Sequence, residues 1–245
     1  MRYLVLADIH ANLPALEAVL ADAQVRGFDQ ALLLGDLIGY GAQPNEVLDR
    51  LSSVPVAAMI RGNHDKVAGG LGRADEFNPV AKKGAEWTHH ALTPAHADLV
   101  RALPQGPLIV GDWIEICHGS PYDEDAYVLD GLDALNALRA TRRPLCLFGH
   151  THAPMAFLLA GDELQYRETA KDSVIHVMPG WNHLVNVGSV GQPRDGDPRA
   201  AYGIADDDRK DVSFLRVPYD VAAAQQAIRD AVLPDALAKR LARGR

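Results

Sequence analysis

The sequence predicts a protein of the α/β class, and three observations support this. In the first part of the chain, short apolar runs alternate with segments that repeat apolar residues at helical spacing. The second half instead carries apolar runs joined by glycine-containing turns, a pattern typical of antiparallel hairpins. The first apolar runs also end in polar loops, which is where an α/β sheet places its ligands.

The first part of the chain alternates predicted strands with predicted helices. The strands are Tyr3–Ala7, Ala31–Leu34 and Val56–Ile60. A helix begins at Leu13 after the first strand, with Asn12 as its N-cap and Pro14 in its first turn. A second helix, which Asn45 opens, covers Glu46–Leu51. This alternation is typical of parallel strands with crossover helices.

Residues 66–104 show no strand pattern and are rich in alanine, lysine, glutamate and histidine. We expect this interval to form helices and loops beside the strand ends, as a cap-like insertion. No internal repeat and no linker-like segment divides the sequence. The chain is therefore expected to form one domain, residues 1–245.

The remaining elements are predicted to include two hairpins, around Gly111-Asp112 and Gly161-Asp162. The further strands are Leu108–Val110, Trp113–Cys117, Pro144–Phe148, Met155–Leu159, Leu164–Arg167, Ile175–Met178, Leu184–Val187, Ala201–Ile204 and Val212–Val217. Helices are predicted over Leu129–Ala140 and Val221–Val232. The basic tail that follows, which includes Arg240, is expected to be solvated or frayed.

The composition narrows the classes of function. Hydrophobic residues make up 48% and charged residues 23% of the chain, as in globular domains. The formal net charge of −8 argues against stable binding of nucleic acid. No apolar stretch has the length of a membrane span, and the first residues lack a signal-peptide pattern. With only two cysteines, no disulfide framework is expected, and we predict a cytoplasmic protein without a membrane partner.

Side chains that commonly ligate metals follow several predicted strands. They occur in Asp8-Ile9-His10, Gly35-Asp36, Gly62-Asn63-His64-Asp65, His118-Gly119 and Gly149-His150-Thr151-His152. The members of the pairs Asp8/His10 and His150/His152 are two residues apart, so each pair is expected to project the same way from an extended backbone. Each segment alone fits an ordinary turn or a satisfied polar group. Their joint position at strand ends favours a metal site.

The types of these side chains indicate which metals and which chemistry they suit. Imidazole, carboxylate and one amide together favour manganese, iron, zinc or cobalt over Cu(I). Asp8 and Asp36 contribute two negative charges, so two divalent cations would leave a charge of about +2 that attracts phosphate. A water between such cations loses a proton near neutral pH and can attack phosphorus. His64 then remains as a proton donor to the leaving alkoxide or as a ligand of a phosphate oxygen.

In their order along the chain, these segments resemble the signature of the calcineurin-like metallophosphoesterases. That signature reads D-x-H, G-D-x-x, G-N-H-[DE], a later H and G-H-x-H, and its counterparts span residues 8–152. The segments Gly35–Gly41 and Asn186–Arg194 are similar to the small bacterial and archaeal phosphoesterase branch. The resemblance implies a four-layer αββα sandwich of two mixed β-sheets flanked by helices.

The resemblance also implies the role of each site residue and the cofactors. One metal would be held by Asp8, His10, Asp36 and His152, and the other by Asp36, Asn63, His118 and His150. His64 matches the catalytic histidine, and the cofactors would be two divalent ions, with manganese favoured among manganese, iron, zinc and cobalt.

The implied function is metal-dependent hydrolysis of a phosphate ester of a small molecule by attack of a metal-bound hydroxide on phosphorus. The substrate would be a phosphodiester, a nucleotide or a dinucleoside polyphosphate. Two alternatives remain open: a phosphomonoesterase of the protein serine/threonine phosphatase type, and a non-catalytic scaffold of the same fold. The sequence does not indicate the oligomeric state.

The sequence departs from the family pattern next to the bridging aspartate. In the serine/threonine protein phosphatases of this superfamily, an aspartate three residues after that position orients the catalytic histidine, and an arginine follows it. This chain has Gly39 and Tyr40 at those positions. The orienting partner of His64 must come from elsewhere or be absent, which argues against efficient protein-phosphatase chemistry.

Two arginines and one loop are further candidates for substrate binding. Arg61 and Arg194 could clamp a phosphate with paired N–H groups, or they could form surface ion pairs. The segment Gly188–Gly191 could present backbone amides to an anion, or it could form a tight turn.

Overall fold

Two six-stranded sheets form the centre of the computed structural model, which describes residues 1–167, 169 and 172–245. The strands are β1 Arg2–Leu6, β2 Gln30–Leu33, β3 Val56–Met59, β4 Leu108–Val110, β5 Ile114–Ile116, β6 Leu145–Phe148, β7 Met155–Ala160, β8 Glu163–Arg167, β9 Val174–His176, β10 Asn182–Asn186, β11 Ala200–Asp206 and β12 Asp211–Val217. The helices are α1 Leu13–Arg26, α2 Pro44–Ser52, α3 Asn63–Ala68, α4 Pro79–Ala91, α5 Pro94–Arg101, α6 Gly131–Ala140, α7 Val221–Asp230 and α8 Asp235–Leu241.

Both sheets are mixed, and each contains one block of parallel strands. The first sheet has the order β3-β2-β1-β11-β12-β9, in which β1, β2 and β3 are parallel. The second has the order β4-β5-β6-β10-β7-β8, in which β5, β6 and β10 are parallel. The polar loops therefore leave the carboxyl ends of parallel strands in both sheets, where α/β folds bind ligands.

Alternation along the strands produces the layers. In β1, Leu4 and Leu6 pack on the outer face with Leu16 of α1, while Val5 lies between the sheets. On the outer face of the second sheet, Phe148 packs with residues of α6 such as Leu138. Because successive side chains of a strand point to opposite faces, each sheet buries both of its faces. The αββα arrangement that the family resemblance implies is confirmed.

The predicted strands all occur, with ends shifted by no more than two residues. Asn12 caps α1, and its side-chain oxygen accepts a hydrogen bond from the backbone N–H of Ala15 at 3.2 Å. Helix α2 begins at Pro44, so the expectation that Asn45 opens it is wrong. The side chain of Asn45 instead bonds to the C-terminal end of α4, since its amide donates to the carbonyl of Ala91 at 2.8 Å.

The interval 66–104 is described in full and contains the end of α3, then α4 and α5, with no strand. Val67, Ala74 and Ala85 are buried together against Phe77, so this interval packs through its own small apolar cluster. No helix in the described ranges has both the length and the apolar character that crossing a membrane requires.

Of the two alternatives for the basic tail, solvated or frayed, the second is wrong, because the tail is ordered; Lys239, Arg243 and Arg245 are exposed to solvent. The tail forms α8, in which Leu237, Ala238 and Leu241 are buried in a cluster that also contains Ile228 of α7 and Tyr40. The four-residue spacing of Leu237 and Leu241 gives one apolar stripe that docks on this cluster. Lys239 and Arg243 face solvent, whereas Arg240 is half-buried beside the Tyr40 ring. The composition of the tail did not indicate this stripe, because it shows many basic residues but not the spacing of the apolar ones.

Candidate metal centre and catalytic cleft

The predicted metal ligands converge where the parallel strands of the two sheets end. Asp8 and His10 follow β1, Asp36 follows β2, and Asn63 opens α3 after β3. From the second sheet, His118 follows β5, while His150 and His152 follow β6. All of these except the half-buried Asn63 are almost fully shielded from solvent. Residues up to 144 positions apart in sequence therefore share one small volume.

The backbone is left-handed at five of these seven residues, so the expectation of an extended backbone at the paired ligands is wrong. The φ angles are 53° at Asp8, 50° at His10, 68° at His150 and 58° at His152. Asp36 has a φ of 51° as well. Each such residue costs about 1–2 kcal/mol relative to a right-handed conformation. Strain of this kind concentrates at functional sites, where the surrounding structure imposes it.

The donor atoms form two groups that share one carboxylate. The first group is Asp8, His10, Asp36 and His152, and the second is Asp36, His118 and His150. Within each group, the donor atoms lie within 4.8 Å of one another. Oδ2 of Asp36 is 3.5 Å from Nε2 of His10 and 3.5 Å from Nε2 of His118. Asp36 thus lies between the groups, in the position that a bridging ligand requires.

Backbone carbonyls determine which ring nitrogen of each histidine faces the centre. Nδ1 lies next to a carbonyl oxygen in His10 (Ile38, 3.2 Å), His118 (Leu34, 2.8 Å) and His152 (Gln192, 2.7 Å). Because a carbonyl oxygen can only accept, Nδ1 carries the hydrogen and Nε2 presents a lone pair to the centre. In His150 the roles are reversed, since Nε2 lies 3.2 Å from the carbonyl oxygen of Asp125.

These tautomers leave buried acceptors facing each other, and this chemistry fits a divalent cation. Nε2 of His10 is 3.1 Å from Nε2 of His152, and Nδ1 of His150 is 3.2 Å from Nε2 of His118. Oδ1 of Asn63 lies 3.2 Å from the same His118 nitrogen. Lone pairs at this distance repel unless a proton or a cation lies between them. The donor set therefore has the composition of a divalent metal site.

The pKa values of the histidines in this cluster are shifted as expected for a buried metal site. Burial lowers the pKa of His150 to about 3, and it lowers the pKa values of His10 and His152 well below the usual range. His118 differs: burial opposes its charge, but the carboxylates of Asp36 and Asp8 raise its pKa to about 10. Without a metal, His118 therefore keeps a proton. The positive charge of this proton compensates the carboxylates of Asp36 and Asp8, as a bound cation would.

Asp65 connects the two loops that carry the bridge and the catalytic candidate. Its Oδ2 accepts from the backbone N–H of Gly62 at 3.0 Å and of Leu37 at 3.2 Å, and its Oδ1 accepts from Ile38 at 3.1 Å. Asp65 therefore caps the first turn of α3 and also anchors the loop after β2. The backbone N–H of His64 donates to Oδ1 of Asp36 at 2.9 Å, which holds the second oxygen of the bridge.

His64 lies beside the first donor group and is oriented by aromatic contacts. Its ring centroid is 4.2 Å from that of Tyr40, 4.7 Å from Phe77 and 5.0 Å from His10. Its Nδ1 is buried and has no hydrogen-bond partner within the described residues. Burial lowers the pKa of His64 to about 4. Among the alternatives that the sequence left open, the structure supports the absence of a polar orienting partner.

Gly39 explains why no carboxylate can orient His64 from the position used in the protein phosphatases. A Cβ atom at residue 39 would lie 2.6 Å from Nδ1 and 2.9 Å from Cβ of His64. The φ angle of Gly39 is also +91°, a conformation that side chains disfavour. The glycine makes room for the imidazole ring.

Comparison with known proteins agrees with this geometry. The sequence profile of the calcineurin-like phosphoesterase superfamily domain matches residues 1–210. The chain belongs to that superfamily. It is a metal-dependent phosphoesterase, and thus a hydrolase, with Asp and His residues grouped as in a divalent metal site.

Similar proteins match over nearly the whole chain. The crystal structure of a metallophosphoesterase from Sphaerobacter thermophilus is 38% identical and has a TM-score of 0.86, covering 100% of this chain and 99% of its own. An uncharacterized protein of Methanocaldococcus jannaschii is 32% identical over 98% of this chain and 97% of its own length. A hypothetical protein from Pyrococcus horikoshii OT3, at 21% identity and a TM-score of 0.81, covers 100% of this chain and 98% of its own and shares the fold.

A cleft of about 630 Å³ opens beside the donor groups. Tyr40, Phe77 and Tyr127 line it together with His64 and His150, and residues of the interval 66–104 form one wall. The ring centroid of Tyr127 is 3.9 Å from that of His150. Sequence reasoning did not select Phe77 or Tyr127, because neither follows a predicted strand or belongs to a spaced motif.

The remaining substrate-binding candidates have different surroundings. Arg61 forms a two-point ion pair with the buried Glu124, at 3.0 Å from Nε and 3.1 Å from Nη2, and it does not line the cleft. The ion-pair alternative therefore describes Arg61. The amides of Val190 and Gly191 donate to the carbonyls of Ala7 and Asp8, both at 3.0 Å, so these two amides are not free to bind an anion.

Arg194 differs from Arg61, because within the described ranges of the chain no carboxylate pairs with it. Its Nη2 lies 3.0 Å from Oε1 of Gln192 and 3.5 Å from the hydroxyl of Tyr40. Arg240 of α8 contacts the same glutamine oxygen at 3.0 Å. Sequence reasoning missed Arg240 because it lies in the tail expected to be solvated or frayed.

Proposed function

We propose that this phosphoesterase hydrolyses a phosphate ester of a small molecule at a centre of two divalent cations. The substrate classes that fit are phosphodiesters, nucleotides and dinucleoside polyphosphates. The observation that carries the proposal is the position of Asp36, whose Oδ2 is 3.5 Å from a histidine nitrogen of each donor group. One carboxylate shared by two donor groups is what a two-cation centre requires.

In this proposal, each donor group holds one cation, and Asn63 completes the second group. The cations, which we propose to be manganese, would polarise the phosphate oxygens and lower the pKa of a water between them. The carbonyls of Ile38, Leu34 and Gln192 hold three ligand rings in the tautomer that faces the centre. Such carbonyl contacts fix the orientation of a ligand and raise its basicity.

His64 is proposed as the proton donor to the leaving oxygen. Burial keeps its ring neutral in the free enzyme, and its Nδ1 has no acceptor among the described residues. The negative charge of a bound phosphate would raise the pKa of this histidine, since an opposite charge nearby favours the charged form. Tyr40 and Phe77 hold the ring between them while the proton moves.

The cleft supports a small-molecule substrate over a folded protein. Its volume of about 630 Å³ lies within the range of small-molecule pockets. Tyr40, Phe77 and Tyr127 give it aromatic surfaces on which a planar leaving group can stack. We propose that the interval 66–104 acts as a cap over the bound substrate. The cytoplasmic location, the single domain and the absence of nucleic-acid and membrane partners stay predictions.

A hydrolysis screen tests the proposal. Protein purified without chelator is analysed for bound metal and then assayed with added Mn²⁺ on bis-p-nitrophenyl phosphate, p-nitrophenyl phosphate, diadenosine tetraphosphate and a phosphopeptide. We expect about two cations per chain and turnover of at least one of the small molecules. Substoichiometric metal without Mn²⁺-stimulated turnover would contradict the two-cation centre. Hydrolysis of the phosphopeptide alone would contradict the small-molecule assignment.

A further inference from the structure

Arg194 and Arg240 meet on one side of Tyr40. Arg194 lies in the loop after β10, and Arg240 lies in α8, close to the end of the chain. Each donates to Oε1 of Gln192 at 3.0 Å. The Cζ atoms of the two guanidinium groups are 5.8 Å and 5.7 Å from the centroid of the Tyr40 ring. The two positively charged guanidinium groups thus share one neutral acceptor, the Gln192 side chain, and one aromatic ring, that of Tyr40.

This pair lacks the carboxylate partner that several other partly buried arginines have, although Arg143 lacks one as well. Arg61 pairs with Glu124, Arg199 with Asp197 and Arg216 with Asp195. Among the described residues, no side-chain carboxylate pairs with Arg194 or Arg240. Nε of Arg240 donates to the main-chain oxygen of Arg245 at 2.9 Å, whereas Nε of Arg194 is buried without an acceptor. Burial lowers the pKa of Arg240, and the charge of Arg194 lowers it further. Like charges held together without a counter-ion cost free energy, and a bound anion would remove that cost.

The arginine pair is adjacent to the metal centre. The Tyr40 ring centroid is 4.7 Å from that of His10 and 4.2 Å from that of His64. The backbone N–H of Arg194 donates to the carbonyl of His152 at 3.1 Å. After burial, the charge of Arg194 is among the causes that lower the pKa values of His10, His64, His150 and His152. Neither arginine lines the cleft itself, but both contact Tyr40, which does. One extended molecule that passes Tyr40 can therefore place one phosphate at the centre and another at the pair.

We propose that Arg194 and Arg240 form a second anion site, which binds a phosphate group of the substrate other than the one that is hydrolysed. Preferred substrates would then carry at least two phosphate groups, as phosphoanhydrides and dinucleoside polyphosphates do. Guanidinium groups suit this task because their planar N–H pairs match phosphate oxygens. The inference rests on the proposed function, because it assigns a substrate class to that centre.

Direct binding provides the first test. Inorganic pyrophosphate is titrated calorimetrically into chelator-treated protein of the wild type, Arg240→Gln and Arg243→Gln. Arg243 is the matched control, since it is exposed and lies just after the same helix. We expect Arg240→Gln to raise the Kd for pyrophosphate about tenfold, the loss of one charge-assisted hydrogen bond, and Arg243→Gln to leave it unchanged. Equal weakening by both variants, or no binding to the wild type, would overturn the proposal.

Kinetics provide the second test and separate a substrate phosphate from a free anion. With Mn²⁺ added, KM is compared for diadenosine tetraphosphate, which has several phosphates, and bis-p-nitrophenyl phosphate, which has one. We expect Arg240→Gln to raise KM about tenfold for the first substrate alone. Equal changes for both substrates would overturn the proposal, and so would weaker pyrophosphate binding without any change in KM.

Two controls keep the outcomes distinct. Thermal unfolding shows whether Arg240→Gln folds, and Arg240→Lys, which keeps the charge but loses the paired donors, is expected to give an intermediate Kd. If the wild type hydrolyses no phosphate ester, the proposed function fails. The pyrophosphate titration still tests the anion site in that case, because it needs neither metal nor turnover.

Discussion

Asp36 is the side chain that connects the two donor groups and the loop of the catalytic candidate His64. One carboxylate oxygen accepts from the backbone of His64 at 2.9 Å, and the other lies between His10 and His118. Gly62 allows this position, because a Cβ atom there would collide with the same carboxylate and lie 2.7 Å from Cε1 of His118. The bridge therefore depends on the absence of a side chain as well as on the presence of one.

Asp36→Asn tests the bridge. The amide removes a negative charge and one acceptor, so it cannot serve two cations. We expect bound metal to fall well below that of the wild type and turnover to fall below detection, with metal content measured by mass spectrometry. Asp208→Asn, at a highly exposed carboxylate, is the control. Full metal content in Asp36→Asn would show that the donor groups bind independently.

His64→Ala tests the proton donor. This side chain lies outside both donor groups, so the variant is expected to retain its metal. The value of kcat should fall by about 10²–10⁴-fold on substrates with poor leaving groups and much less on nitrophenyl esters, because only the former need a proton at the leaving oxygen. Rates are compared across leaving groups of different pKa. An equal loss on all of them would remove His64 from this role.

Gly39→Ala tests the space beside the catalytic ring. The added Cβ would meet the His64 ring at 2.6 Å, in a backbone with φ of +91°. Gly111, with φ of +59° and no atom within 4 Å of its added Cβ, separates backbone strain from collision. We expect Gly111→Ala to cost about 1 kcal/mol and Gly39→Ala more than about 2 kcal/mol, measured by urea unfolding. Equal costs would mean that the ring moves aside freely.

At the level of elements, the strands were predicted well and the loops at their ends were not. Apolar runs between polar loops identify strands because a buried strand needs little else. The conformation of Asp8, His10, His150 and His152 is not local in origin, because it is imposed by bonds to other loops. For example, the N–H of His10 donates to the carbonyl of Asp36 at 3.0 Å. The two-residue spacing therefore correctly predicted that these ligands lie together, but the extended backbone on which that prediction relied is not present.

Helix α8 is the element whose role was missed, and Leu237→Ala tests its docking. Leu237 is fully buried in the apolar cluster that also contains residues of α7 and Tyr40. We expect its truncation to cost about 2–3 kcal/mol and to weaken the contact between Arg240 and Gln192. Val25→Ala, at a side chain of α1 that is 88% exposed, should change stability little. Urea unfolding measures both variants, and a Leu237→Ala protein as stable as the wild type would show that α8 is not docked.

For the whole molecule, the cluster of buried charges couples metal binding to stability. The carboxylates of Asp36 and Asp8 raise the pKa of His118 to about 10 in the protein alone. Above neutral pH the folded chain therefore keeps a proton that the unfolded chain, with an ordinary histidine, has lost. Removal of that proton destabilises the folded state, whereas a cation in its place does not titrate in this range.

The stability of chelator-treated protein is accordingly expected to fall as pH rises from 7 to 9. The folded state binds more protons than the unfolded state in this window, so the free energy of unfolding decreases with pH. Mn²⁺ in excess should raise the melting temperature and flatten this dependence. Thermal unfolding at several pH values, with and without Mn²⁺, measures both effects. A metal-free stability that rises over this window would contradict the assignment of the proton to His118.

The sequence by itself determined the class of fold, the strands and the set of residues that meet at their ends. These follow from apolar periodicity and from ordered motifs, which are properties of neighbouring residues. Only the tertiary structure decided that Arg61 pairs with Glu124, that His64 has aromatic rather than acidic neighbours, and that α8 brings Arg240 to Arg194. The two arginine contacts join residues 48 or more positions apart, and the surroundings of His64 depend on the space beside Gly39. Such contacts cannot be predicted from apolar periodicity, because they depend on how distant segments pack together and not on the spacing of neighbouring residues.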